Sequence, residues 1–316
     1  MIAAPVLFLI FNRPDHTKLV FEQIRLAKPK QLFIAADGPR ENCDGEREKC
    51  EYAKHVVLEN IDWECEVKTL FRQSNLGCGK AVSEAITWFF NHVDEGIILE
   101  DDCLPNSSFF SFCHELLEKY RHNSSIMHIT CTNYNDSKKY EDGSYYFSNY
   151  PYIWGWATWK RAWQHYDYDL KDLPRYKKLI RQKFRDPFER KFWESRITMI
   201  QNKVVNTWDY QWMFSVWREN GISLTTNFNL VTNVGFGEDS THTKGESPYL
   251  TPETKVLTQI VHPKSMIVSK DGDENFVETV LCVKRKGYSG FMVQRFVNLL
   301  HKIKLAFGML KKANEA

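Results

Sequence analysis

Gly96-Ile97-Ile98-Leu99-Glu100-Asp101-Asp102 is a short apolar run that ends abruptly in three carboxylates. Four apolar or small residues followed by a charged break read as a buried strand with chemistry at its carboxyl end. Adjacent acids repel one another and destabilise an empty site. A hard dication such as Mg²⁺ or Mn²⁺ relieves that repulsion, because it takes oxygen ligands and leaves room for substrate phosphates. The competing explanation is a favourable helix N-terminus, since residues 107–121 carry helical spacing. A dipole accounts for one acid more readily than for three.

Working outward, residues 5–11, 31–36, 65–71, 96–99 and 126–130 read as strands, and residues 15–27, 47–60, 80–93 and 107–121 as helices. Strand and helix in alternation predict crossover units and a mainly parallel α/β sheet, Rossmann-like, with helices on both faces. Ligands of such sheets sit beyond the carboxyl ends of the strands. Those ends carry Asn12-Arg13, Asp37-Gly38, Arg72 with Asn75, and the acidic triplet. One polar strand end is an ordinary loop; four in succession predict a binding crevice.

From residue 132 the pattern becomes aromatic-rich. Helices are expected over 157–165, 175–184, 187–201 and 209–220, and short strands over 222–225 and 229–231. The expected division is a nucleotide-binding half, 1–131, an acceptor-side half of the same domain, 132–250, and an extension, 251–316. Trp154 and Gly155 are candidates for the floor of a sugar site, the indole face suiting a pyranose and the glycine admitting close approach; Trp159 and Trp163 read as core.

The 316 residues carry a formal net charge of +2, which gives no overall bias toward nucleic acid. The eight cysteines include no Cys-x-x-Cys pair, and the first apolar run is too short to span a membrane. A reducing cytoplasm is therefore expected. Phe296, Leu299, Leu300, Ile303, Phe307 and Leu310 form an apolar stripe flanked by lysines. This basic amphipathic pattern over 290–312 suits either docking on protein or peripheral contact with an anionic membrane, where a lipid-linked acceptor would lie.

The run ILEDDCLPNSSFFSFCHELLEKY resembles the metal-binding segment of glycosyltransferases with the GT-A fold, most closely the N-acetylglucosaminyltransferase I type. PVLFLIFNRPD is similar to the first strand and nucleotide loop of that fold, FIAADGP to its second strand, and RQSNLGCGKA to a segment of family-2-like transferases. The resemblance spans roughly residues 5–122 and thins toward 243. It implies metal-dependent transfer, with inversion, of a sugar from a nucleotide-diphosphate donor, with UDP the expected nucleotide, to a glycan hydroxyl. It implies that Asn12, Arg13, Asp37, Gly38, Arg72, Asn75 and Lys80 line the nucleotide, and that Glu100 and Asp101 hold ribose or the metal's water shell. Asp102 would ligate the metal, with Asp101 as the open alternative. The Trp208-Asp209 segment would carry the base at Asp209, although a first-turn helix acid explains the same residue. Ser240 and His242, in the glycine-rich loop that follows, would join the diphosphate and metal. A sugar-nucleotide nucleotidyltransferase shares the sheet, but Phe11-Asn12-Arg13-Pro14-Asp15 lacks the glycine-rich basic loop that grips a triphosphate. A non-catalytic module on a degenerate fold would have lost the triplet or Asp209.

Overall fold

The computed structural model describes residues 2–134, 139–235 and 252–283. The expected Ser240, His242 and the 290–312 stripe lie outside them. The first half runs β1 (Val6–Ile10), α1 (Pro14–Ala27), β2 (Gln31–Ala36), α2 (Glu46–Leu58), β3 (Glu66–Phe71), α3 (Cys78–Phe90), β4 (Glu95–Glu100), β5 (Cys103–Pro105), α4 (Phe109–Tyr120) and β6 (Ile126–Thr130). The second runs β7 (Tyr145–Ser148), β8 (Trp156–Trp159), α5 (Lys160–Trp163), α6 (Leu173–Lys183), α7 (Pro187–Gln201), α8 (Asp209–Arg218), β9 (Ile222–Thr226), β10 (Val231–Asn233) and α9 (Lys270–Thr279). Helix starts follow local chemistry. Pro14 and Pro187 open α1 and α7, and the Asp186 carboxylate accepts the Phe188 and Glu189 N–H groups.

Eight strands form one mixed sheet in the order β3-β2-β1-β4-β8-β6-β9-β7, so both halves of the sequence share it. The first four are mutually parallel, and β8 enters antiparallel between β4 and β6. The crossovers reverse direction at β1, which has β2 on one side and β4 on the other. At such a switch point the loops after β1 and β4 diverge, which is where open α/β sheets place their ligands.

Alternation along the buried strands divides the core. Val6, Phe8 and Ile10 pack with α1, α2 and α4, while Leu7 and Leu9 face α3, α5 and α8. A third cluster joins α6, α7, α8 and α9 around Tyr176, Trp193, Trp217 and Phe276.

The helix expected over 157–165 is corrected. Trp156–Trp159 is a strand, and only Lys160–Trp163 is helical. The tryptophans at three- and four-residue spacing mimic a helical stripe, but backbone pairing with β4 and β6 outweighs it. Trp159 and Trp163 are buried, as expected of core residues.

On β6, His128 is fully buried and stacks on Trp156, with ring centroids 4.9 Å apart. Its Nε2 donates to the Tyr152 carbonyl at 2.7 Å and its Nδ1 accepts the Trp212 indole N–H at 3.1 Å. Burial lowers its pKa to about 3 against the Tyr152 hydrogen bond, so the folded ring stays neutral. A histidine depressed in the folded state stabilises above its unfolded pKa and loses that contribution as pH falls toward the folded one. Between pH 6.5 and 4 this group should remove about 3 kcal/mol of stability. His128→Gln should be weaker at pH 7 but should lack that pH-dependent loss in urea titrations. A variant with the same pH slope as the parent would refute the assignment.

Candidate active site

The triplet does not act as a unit. Glu100 is the last residue of β4 and shares the face of Ile98, toward α3 and α8. Asp101 lies one residue on and turns to the opposite side, where it is 2% exposed. Its carboxylate accepts the Phe11 N–H at 3.2 Å and the Arg13 guanidinium. The same Arg13 Nη2 reaches Asp102 Oδ2 at 3.1 Å. One guanidinium therefore closes the switch point, from the loop after β1 to the loop after β4. Burial opposes the Arg13 charge, but the two carboxylates override it and raise its pKa further. Burial lifts Asp101 to about 6 while Arg13 pulls it down, which leaves it ionised at neutral pH.

Glu100 is half-buried and raised well above the carboxylate range, first by burial and then by the charges of Asp102 and Asp101, with Asp209 adding to the effect. Cys78, in the first turn of α3, registers the same convergence. Its thiol is pushed up to about 12 by burial and then by Glu100, Asp209, Asp102 and Asp37. Acids from three chain segments, Asp37, residues 100–102 and Asp209, thus bear on one thiol.

Around this centre several expected nucleotide contacts serve as loop clasps. Asp37, expected to line the nucleotide, is the centre of one such clasp. It accepts the N–H groups of Gly38, Leu76 and Gly77 at 3.0–3.1 Å, because the loop after β3 folds back over the one after β2. Asn75 donates to the Gly38 carbonyl at 2.8 Å in the same clasp. Asn12 donates to buried Glu46 at 2.8 Å, and Glu46 also binds Arg40. Arg72 is tied to Glu84 at 3.3 Å, and Lys80 is exposed on the first turn of α3. Glu46 carried no sequence signal: a helix-start acid is commonplace, and its partner lies 34 residues away.

Asp209 is the first residue of α8 and half-buried. The Thr207 hydroxyl donates to its Oδ1, which orients the carboxyl. The preceding segment is docked on α3, since Asn206 Oδ1 accepts the Gly79 N–H at 2.9 Å. The Tyr166 hydroxyl binds the Trp208 carbonyl at 3.1 Å, and Gln211 donates to the Thr207 carbonyl at 2.8 Å. Asn206 and Thr207 were not anticipated, because their role depends on contact with a helix more than 120 residues earlier.

A flap covers the acids. β10 pairs antiparallel with β5, immediately after the triplet, and the Val234 N–H donates to the Asp102 carbonyl at 2.8 Å. His16 Nε2 bonds the Val234 carbonyl at 2.9 Å. A Cβ on Gly235 would sit 2.5 Å from Asp102 Oδ2 and 2.8 Å from Arg13 Nη1, so glycine is what lets the chain cross here.

Gly155 is corrected as a sugar-approach residue. It is buried at φ +63°, and a Cβ there would meet Val231 at 2.6 Å and Phe109 at 3.2 Å. Its glycine serves a left-handed turn against the core, not a ligand. Trp154 is half-buried, its ring 5.6 Å from that of Tyr134.

Among the described residues no group of three or more His, Cys, Asp or Glu side chains has metal-holding geometry. Asp101, the open alternative ligand, accepts Arg13 and the Phe11 N–H in the interior. Asp102 keeps its side chain 18% exposed, and among the described residues its Oδ1 accepts a 3.4 Å thiol contact from Cys103. One such carboxylate fits a Mg²⁺-type ion held chiefly by substrate phosphates and water, and does not fit a preassembled protein cage.

No family model matches the chain, and no curated protein does. Among solved structures, HddC from Yersinia pseudotuberculosis aligns with 54% of this chain and 85% of its own, at 10% identity and a TM-score of 0.33. S. aureus TarS 1–349 aligns over 72% and 59%, at 6% identity and a TM-score of 0.39. A UDP-glucose pyrophosphorylase complexed with UDP-glucose aligns over 72% and 91%, at 12% identity and a TM-score of 0.35. Likenesses this distant carry no argument about function, which rests on the chain's own residues. Among the described residues no helix is long and apolar enough to cross a membrane.

Proposed function

We propose that this protein is a metal-assisted glycosyltransferase of the GT-A type, moving a sugar from a nucleotide-diphosphate donor, UDP foremost, to a glycan or lipid-linked hydroxyl with inversion. The reading is supported by Glu100, which ends β4 on the face toward α8, by Asp209, the first residue of α8, and by Asp102 beside Arg13 where the loops after β1 and β4 meet. Arg13 is the cation bound there.

The roles divide by side chain. Arg13 neutralises Asp101 and also holds the Asp102 carboxylate. Asp102, with diphosphate oxygens, would hold Mn²⁺ or Mg²⁺, which stabilises negative charge on the departing phosphate. Asp209 accepts the acceptor hydroxyl's proton as that oxygen bonds to the anomeric carbon. The bond from that carbon to the diphosphate oxygen breaks, and its electron pair leaves with the nucleotide. The Asp37–Asn75 clasp shapes the nucleotide side, and Trp154 remains a wall for the sugar. Ser240 and His242 follow the flap from Gly235 in sequence and are assigned to the diphosphate.

Thermal-shift titration tests the reading. UDP with Mn²⁺, at about a hundred times its Kd, should raise the melting temperature by roughly 5–10 °C, and much less without metal. Indifference to every nucleotide diphosphate would overturn it. Stronger stabilisation by UTP, with pyrophosphate released in the presence of a sugar 1-phosphate, would mark a nucleotidyltransferase instead.

A further inference from the structure

Residues 169–203, which contain α6 and α7, carry eleven Lys and Arg against five Asp and Glu, although the whole chain is only +2. Three of the five acids are engaged in local structure. Asp172 caps α6, Asp186 caps α7, and buried Glu189 accepts the Tyr150 hydroxyl. The cations point outward, eight of the eleven being exposed. On α6 the buried face is Tyr176 and Ile180, packed on the cluster shared with α7 and α8. Arg175, Lys177, Lys178 and Arg181 occupy the exposed remainder of the helix surface. Arg181 pairs with Glu194 at 3.1 Å, whereas Arg175, Lys177 and Lys178 have no ion pair among the described residues.

A merely solvated helix ordinarily intersperses both signs, since like charges along one surface repel. This surface concentrates one sign, and beside it lies a partly open depression of about 250 Å³ lined by Arg175, Lys178 and Arg218. We infer that the outer face of α6, continued onto α7, is a docking surface for an anionic lipid bilayer. Charge complementarity asks for an extended negative partner. A second observation selects the bilayer over a soluble polyanion. The chain leaves the described residues just after Val283, which packs on this same cluster, and residues 284–316 add eight Lys and Arg, one Glu and the apolar stripe. A soluble polyanion has no use for that stripe; a bilayer does. The inference does not rest on the catalytic reading.

Co-sedimentation of the full chain with vesicles tests it. Vesicles of phosphatidylcholine with 30% phosphatidylglycerol should bind at least tenfold more tightly than phosphatidylcholine alone, and 0.5 M NaCl should abolish the difference. Combined Arg175→Gln, Lys177→Gln, Lys178→Gln and Arg181→Gln should weaken binding to the anionic vesicles at least tenfold, with the nucleotide-dependent thermal shift unchanged. If that variant fails to fold, Lys177→Gln with Lys178→Gln should still give a severalfold loss. Variants that bind like the parent would overturn the inference. So would a parent that ignores vesicles but binds inorganic polyphosphate, which would mark a soluble polyanion site.

Discussion

Asp209→Asn should lower kcat for UDP release by about 10²- to 10⁴-fold, the usual contribution of a positioned general base, and leave donor binding nearly unchanged. The substitution is close to isosteric. The Thr207 hydroxyl can still donate to the remaining carbonyl oxygen, and the docking of Asn206 on α3 does not involve the side chain changed. What disappears is the oxygen that takes the acceptor's proton. The readout is nucleotide release from the UDP-sugar giving the largest thermal shift, measured with Mn²⁺ and a glycan acceptor. Loss of kcat with an unchanged donor thermal shift separates a base from a donor ligand. Normal turnover would remove Asp209 from the chemistry.

Arg13→Ala should destabilise the fold by about 3–5 kcal/mol, because it strands a buried charge and not merely because it breaks a contact. Asp101 is 2% exposed and would keep only the Phe11 N–H as a charge-stabilising donor. With roughly 2–4 °C per kcal/mol for large domains, the melting temperature should fall by at least about 6 °C. Adding Asp101→Asn should restore much of the loss, since the neutral amide no longer needs a counter-ion. Arg13→Lys should fall between, as a single ammonium cannot span Asp101 and Asp102 as a planar guanidinium does. A melting temperature within a degree of the parent would show that Asp101 finds another partner.

The two variants probe different consequences of one arrangement. The acids near the reacting centre are tolerable in the empty protein because Asp101 is neutralised from within. Asp102 shares the Arg13 guanidinium with Asp101, while burial and then repulsion from Asp102 and Asp101 hold the Glu100 pKa well above the carboxylate range. A divalent ion arriving with a diphosphate would lower that repulsion, which makes metal and nucleotide binding mutually supportive.

Much of this was legible in the sequence. Buried strands announce themselves as continuous apolar runs, so 31–36 and 126–130 match β2 and β6 residue for residue. Helix starts with Pro and capping Asp made α7 equally plain. The placing of chemistry at successive strand ends follows from the same periodicity, whereas the switch point at β1 is set by strand order. Trp156–Trp159 misled because its spacing satisfies a helical stripe, while the deciding term, pairing to strands on both sides, is non-local.

Local chemistry was therefore enough to determine the alternating α/β layout, the acidic strand end and the helix-start Asp209. Tertiary structure alone decided which charge faces what. Glu100 and Asp101 are neighbours in sequence, yet the pleat sends one toward Asp209 and the other into Arg13, 88 residues away along the chain. The Asp37 loop clasp and the Gly155 turn against the core likewise depend on segments distant in sequence. Side-chain direction and hydrogen-bond partnership are set by contacts between distant segments, and residue type and spacing do not encode those contacts.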